Sequence, residues 1–66
     1  MKIKINGQEK LLPKTCSVQE LLLSLKLNTE LIAVEKNKKI LDKNVYGKTI
    51  LKNGDNLEII RFLGGG

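Results

Sequence analysis

The sequence predicts a small α+β domain, a mixed sheet of four or five strands with one main helix packed on one face. Three features carry this. The chain opens on strict alternation, Met1-Lys2-Ile3-Lys4-Ile5, and runs straight into Asn6-Gly7. One stretch of helical periodicity, Val18 to Leu25, follows a capping sequence. An apolar run from Leu57 to Leu63 then closes the chain after the turn Lys52-Asn53-Gly54-Asp55.

Each element follows in order. Met1, Ile3 and Ile5 alternate with Lys2 and Lys4, the period-two pattern of a half-buried strand. Asn6-Gly7 is a strong two-residue hairpin signal, because both residues tolerate the positive φ of a type I′ turn. Gln8 to Leu12 therefore pairs back antiparallel, and Pro13 ends that strand because it has no N–H for the ladder. Ser17-Val18-Gln19-Glu20 fits a capping box, with Ser17 capping the N–H of Glu20 and Glu20 reaching back. Val18, Leu21, Leu22 and Leu25 recur at i, i+3, i+4 and i+7 and lay one apolar stripe on a helix. That helix is expected over Val18 to Lys26, with Asn28 as its left-handed cap.

Leu31 to Glu35 reads as a third, more buried strand, Asn37-Lys38-Lys39 turns the chain, and Ile40-Leu41 adds a short extended segment. Asp42 to Gly47 has the form of a capped single helical turn closed by glycine. Asn56 to Phe62 makes the last strand. The first and last strands are both strongly apolar, which places them side by side and parallel in the centre of the sheet, as in a β-grasp.

With 66 residues the chain holds one domain, expected as a folded part over residues 1–63 and a flexible glycine tail over 64–66. A domain of this size buries only about 60% of its unfolded surface, so its core must be compact. Apolar residues make up 41% of the chain, enough for such a core. Tyr46 and Phe62 are the only aromatic residues, too few for a base-stacking platform. The net charge of +5 is dispersed; only Lys36, Lys38 and Lys39 cluster, around a turn, and nucleic acid is not the expected partner. Cys16 is alone, so no intramolecular disulfide forms, and His is absent. The alternating start is no signal peptide, and the longest apolar stretch, Leu21-Leu22-Leu23, is far too short for a membrane span. A monomeric cytoplasmic domain without a membrane partner is the expectation.

Gly64-Gly65-Gly66 is the least ordinary feature. Three glycines do not order on their own, and together they reach roughly 10 Å beyond Leu63. Their only chemical group is the final carboxylate, on a stem thin enough for a narrow tunnel. Taken alone, the tail fits either a carrier's working end or a frayed terminus.

The residues in order resemble the ThiS family of sulfur carriers in thiamine biosynthesis, within the ubiquitin-like β-grasp group. The resemblance covers nearly the whole chain. It rests on the opening strand with Asn6-Gly7, on Ser17-Val18-Gln19-Glu20-Leu21-Leu22, on Val34 to Ile40 and Tyr46, on Asn53 to Ile60, and on the final glycines. It implies that the Gly66 carboxylate is the reacting group, adenylated by a partner adenylyltransferase (ThiF) that uses ATP. A sulfur supplied through a cysteine desulfurase then makes a thiocarboxylate, which donates sulfur to thiazole synthase (ThiG). Gly64 and Gly65 are the part of the tail that enters the partners' active sites, and Gly64 is a spacer beyond the family's Gly-Gly. The chain itself binds no cofactor or metal and is no enzyme: it lacks His, a Walker-type loop and a metal-ligand cluster.

Ile60, Phe62 and Leu63 are the candidate docking residues. If Leu57 and Ile59 face the helix, Ile60 and Phe62 point to the other sheet face. There they form an exposed patch, or Phe62 folds over the sheet edge as ordinary packing. Cys16 precedes the helix, where the dipole favours a thiolate. The favoured reading is nevertheless a small loop residue with no part in sulfur relay, since the carrier chemistry needs no cysteine on this chain. Three rivals share parts of the pattern: the molybdopterin-synthase small subunit, a ubiquitin-like protein modifier, and a β-grasp binding module that merely ends in glycine.

Overall fold

A computed structural model describes residues 1–62. Five strands, β1 (Lys2–Ile5), β2 (Gln8–Leu11), β3 (Ile32–Lys36), β4 (Lys39–Ile40) and β5 (Asn56–Arg61), form one sheet in the order β2-β1-β5-β3-β4. One helix, α1 (Val18–Ser24), and two short 3-10 turns, Thr29–Leu31 and Lys43–Val45, complete the elements. β1 and β5 run parallel in the centre, and the other pairs are antiparallel. This is the β-grasp arrangement, with the expected central pair.

The hairpin turns on Asn6 (φ 51°) and Gly7 (φ 83°), with Ile5 opposite Gln8. Pairing continues past β2, because the Leu12 N–H donates to the Met1 carbonyl at 2.8 Å. The capping box forms as expected. The Glu20 N–H donates to Ser17 Oγ at 3.1 Å, and the Ser17 N–H donates to Glu20 Oε1 at 2.9 Å.

The helix ends at Ser24, two residues before the expected Lys26, and Lys26 rather than Asn28 takes the left-handed position, at φ 59°. The Lys26 N–H reaches the Leu23 carbonyl at 2.9 Å and the Leu27 N–H reaches that of Leu22 at 3.1 Å, the bond pair of a Schellman motif. Leu27 packs against the core, so the chain must reverse at Lys26 to bury it. Asn28 instead caps the following 3-10 turn, its Oδ1 accepting from the Glu30 N–H at 2.9 Å. That turn takes Leu31 out of the third strand, which begins at Ile32.

The core lies between helix and sheet. Val18, Leu21 and Leu22 from α1 meet Ile3, Ile32, Val34 and Leu57 from the sheet. Tyr46 and Leu51, from the long connection between β4 and β5, seal the side. Each such burial is worth about 1.5–3 kcal/mol of transfer free energy. The connection lies along the start of the helix, where the Leu51 N–H donates to the Cys16 carbonyl at 2.8 Å and the Val18 N–H to that of Thr49 at 2.9 Å. Asp42 caps the single turn as expected, through the Asn44 N–H. Gly47 does not close that turn with a left-handed φ. A Cβ there would lie 3.0 Å from Gln19 Oε1, the far end of an exposed side chain that can move aside.

Asp55 is buried in the turn before β5. Its carboxylate accepts from the Lys52 N–H at 2.8 Å and from Asn37 Nδ2 at 3.1 Å. Asn37 in turn accepts from the Asn56 N–H at 3.0 Å, so the β3–β4 turn and the start of β5 are tied together.

Candidate functional site

The site the sequence points to is the far end of β5. Because β5 runs parallel to β1 and is flanked by β3, its last residues emerge from the middle of the sheet, held on both sides. Asn6 tightens that hold. Its Oδ1 accepts from the Ile59 N–H at 2.8 Å, and its Nδ2 donates to the Ile59 carbonyl at 3.3 Å. A side-chain amide thus substitutes for a peptide group and extends the β1–β5 pairing by one step. On the other side, Ile32 pairs with Arg61, and the Phe62 N–H donates to the Leu31 carbonyl at 2.9 Å. Phe62 is the last residue held this way among those described. Leu63, Gly64, Gly65 and Gly66, including the predicted reacting carboxylate and the 63/64 domain boundary, lie outside the described residues.

Along β5, Leu57 is buried and Ile59 half-buried against the core, whereas Ile60 is 46% exposed and Phe62 56% exposed. Phe62 therefore does not serve as core packing. Leu31 and Ile40 join them, at 52% and 75% exposed. At this end of the sheet, between the loop after α1 and the last residues of β5, a shallow groove is lined by Lys26, Leu27, Asn28, Leu31, Ile32, Arg61 and Phe62. Lys26 and Arg61 give it a positive rim where the chain continues toward the glycines.

Cys16 lies two residues before α1, at the opposite end of the helix from Lys26 and the groove. Burial, and then the nearby Glu20 carboxylate, push its thiol pKa up. The expected thiolate-favouring effect of the helix dipole is outweighed, and the residue behaves as a half-buried loop cysteine. Glu20 moves the other way: hydrogen bonds from the Ser17 backbone and then the Ser17 hydroxyl hold its carboxyl below the usual range. The described residues contain no cluster of three or more metal-ligating side chains, and no helix among them is long and apolar enough to cross a membrane.

Two parts of this site are missed by periodicity. Leu31 is read as a buried strand residue, yet Asn28-Thr29-Glu30 carries a cap-and-turn signal that ejects it onto the surface beside Phe62. The clasp by Asn6 is hidden behind its turn role, since positive φ alone explains an Asn before Gly.

The comparisons with known proteins agree with this geometry. The family model described as "ThiS family" matches residues 3–66. The sulfur carrier protein ThiS of Bacillus subtilis is 37% identical over 65 residues, covering 97% of this chain and 98% of that protein. A thiazole synthase of Paramagnetospirillum magneticum is 39% identical over all of this chain, which spans only 20% of that protein's length. The crystal structure of the thiamine biosynthesis protein ThiS from Geobacter metallireducens superposes with a TM-score of 0.87 at 33% identity, over the full length of both chains. A superposition over the full length of both chains, a matched length and a family match that extends through the final glycines lead to one assignment: the chain belongs to the ThiS family.

Proposed function

We propose that this chain carries sulfur for thiazole formation in thiamine biosynthesis, on the carboxylate of Gly66. The observation that carries the reading is the family match running through the glycines to residue 66, on a strand clasped at the centre of the sheet. A carboxylate is a poor electrophile and needs a leaving group. An adenylyltransferase (ThiF) supplies it: a Gly66 oxygen attacks the α-phosphorus of ATP, pyrophosphate leaves, and an acyl-adenylate remains. A persulfide sulfur, delivered through a cysteine desulfurase, displaces AMP. Cleavage of the resulting sulfur–sulfur bond by a thiol leaves the thiocarboxylate, which thiazole synthase (ThiG) consumes.

In this scheme the chain is a co-substrate and not the catalyst. The folded part presents the tail, and Gly64 and Gly65 let the same end fit different active sites. The stretch of ThiS-like sequence within a longer thiazole synthase supports a working relation between carrier and synthase. Ile60 and Phe62, with Leu31 at the edge, make the docking patch for the adenylating partner; Leu63, the third residue assigned to docking, lies outside the described residues.

The test is rescue of a thiamine-requiring bacterial strain that lacks its own carrier. The full chain is expected to restore growth without thiamine, and a chain lacking Gly65 and Gly66 to fail. Rescue by the shortened chain, or rescue of a molybdenum-cofactor defect instead, would contradict the assignment.

A further inference from the structure

We propose that the sheet face opposite the helix docks onto a partner surface that presents a basic side chain, best an arginine, ringed by apolar groups, and that this cation seats between Glu35 and Glu58. The inference deepens the carrier reading by specifying what the adenylating partner must bring to this face.

The argument starts from a census of the seven acidic residues. Glu9 pairs with Lys2, Glu20 closes the capping box, Glu30 pairs with Lys43, Asp42 caps a 3-10 turn, and Asp55 anchors the turn before β5. Only Glu35 and Glu58 have carboxylates with no hydrogen bond or ion pair among the described residues. They are not scattered. Glu35 on β3 lies directly opposite Glu58 on β5 in the antiparallel register. Like charges directly opposite on one sheet face disfavour folding, with Cβ atoms only about 4.5–5.5 Å apart. In a chain of net charge +5, with cations in ample supply, this pair is left without one.

The surroundings indicate what covers it. Next along the same strands, Ala33 lies opposite Ile60, and Leu31 follows beside Phe62. On the other flank Ile40 lies opposite Glu35. The carboxylates thus have exposed apolar side chains toward β4 and toward Ile60 and Phe62, while Asn56 and Lys4 lie on the remaining side, nearer the start of β5 than its end. A purely apolar partner surface would bury two unpaired charges, which is strongly unfavourable. An anionic partner, a nucleic acid or an acidic lipid surface, would be repelled. A guanidinium answers both needs, since it is planar, satisfies two carboxylates at once and packs flat on an aromatic ring. A second copy laid squarely on this face would set one acidic pair against the other, so the pair also discourages self-association.

The test measures binding of the full chain to its adenylating partner by calorimetry, at low and high salt. The double variant Glu35→Gln/Glu58→Gln is compared with wild type and with Glu9→Gln, whose carboxylate already has a partner in Lys2. The double variant is expected to melt no lower than wild type, to bind about tenfold or more weakly at low salt, and to lose much of the salt dependence. Glu9→Gln is expected to bind as wild type. Equal or tighter binding by the double variant, while wild type is still adenylated in the presence of ATP, overturns this inference and leaves the carrier reading standing. A wild type that is neither bound nor adenylated overturns both. Concentration-dependent dimerisation of the free chain through this face, abolished by the double variant, would also contradict the proposal.

Discussion

The clasp made by Asn6 allows a worked prediction. The residue does two jobs at once: it holds φ at 51°, and it exchanges two hydrogen bonds with the Ile59 backbone. Both bonds are exposed, so water replaces them when they are lost, and each is worth about 0.5 kcal/mol, the low end of the usual range. The left-handed backbone adds a separate cost of about 1 kcal/mol for a residue such as Ala. Asn6→Ala should therefore destabilise by about 2 kcal/mol, and Asn6→Gly, which loses the bonds but tolerates the φ, by about 1 kcal/mol. For a domain of this size that corresponds to Tm losses of about 8–15 °C and 4–8 °C. Asn6→Asp keeps the acceptor for the Ile59 N–H but turns an anion toward the Ile59 carbonyl, and should fall near the Gly variant. The assay is thermal and urea unfolding of the three variants, with hydrogen exchange read at the Ile59 amide. Equal losses for Ala and Gly would refute the φ argument, and unchanged exchange at Ile59 would refute the clasp.

Other consequences are simpler to test. Lys38 occupies the second position of the Asn37-Lys38 turn at φ 72°, the place that Gly7 fills in the first hairpin, so Lys38→Gly should stabilise by up to about 1 kcal/mol and raise Tm by a few degrees. The folded-state pKa of Glu20 lies below its unfolded value of about 4.3, so its contribution is fully present above that pH and is lost as pH falls through the folded pKa. The stability gap between wild type and Glu20→Gln should accordingly shrink from neutral to acid pH in paired melts, and a constant gap would count against the linkage. Phe62→Ala should change stability by no more than about 0.5 kcal/mol, as expected for an exposed residue, while weakening binding to the adenylating partner in calorimetry. Cys16→Ser should be thiocarboxylated as fully as wild type when followed by mass spectrometry, because the thiol is half-buried and disfavoured as thiolate.

Much of the fold is legible because local signals and tertiary demands coincide. The alternation of Met1 to Ile5, the Asn6-Gly7 turn and the Ser17–Glu20 box each have a single good structural answer, and the structure adopts it. Legibility fails where packing overrides the local preference. Nothing in Lys26 favours a left-handed conformation, yet burying Leu27 against the core requires the helix to end there. Gly47 looks like a left-handed cap, yet its φ is not positive and the turn closes without it.

The same division applies to the site. Ile60 and Phe62 follow from strand parity alone, once Leu57 is placed in the core. Leu31 and Ile40 join the exposed face only because β3 and β4 lie beside β5 in the finished sheet. The pairing of Glu35 with Glu58 is likewise a product of register, since 22 intervening residues separate them in the chain. The carboxylate proposed to react needed no fold to be noticed. What the fold adds is how firmly β5 is held up to Phe62.

The central claim is that Gly66 carries the sulfur, and intact-mass spectrometry tests it most directly. The full chain is incubated with the adenylating partner, ATP and a persulfide sulfur source, and fragmentation then locates any change. The account predicts exchange of one oxygen for sulfur, confined to Gly66 and abolished when ATP is withheld. An unchanged mass, or sulfur found on Cys16 instead, would contradict it.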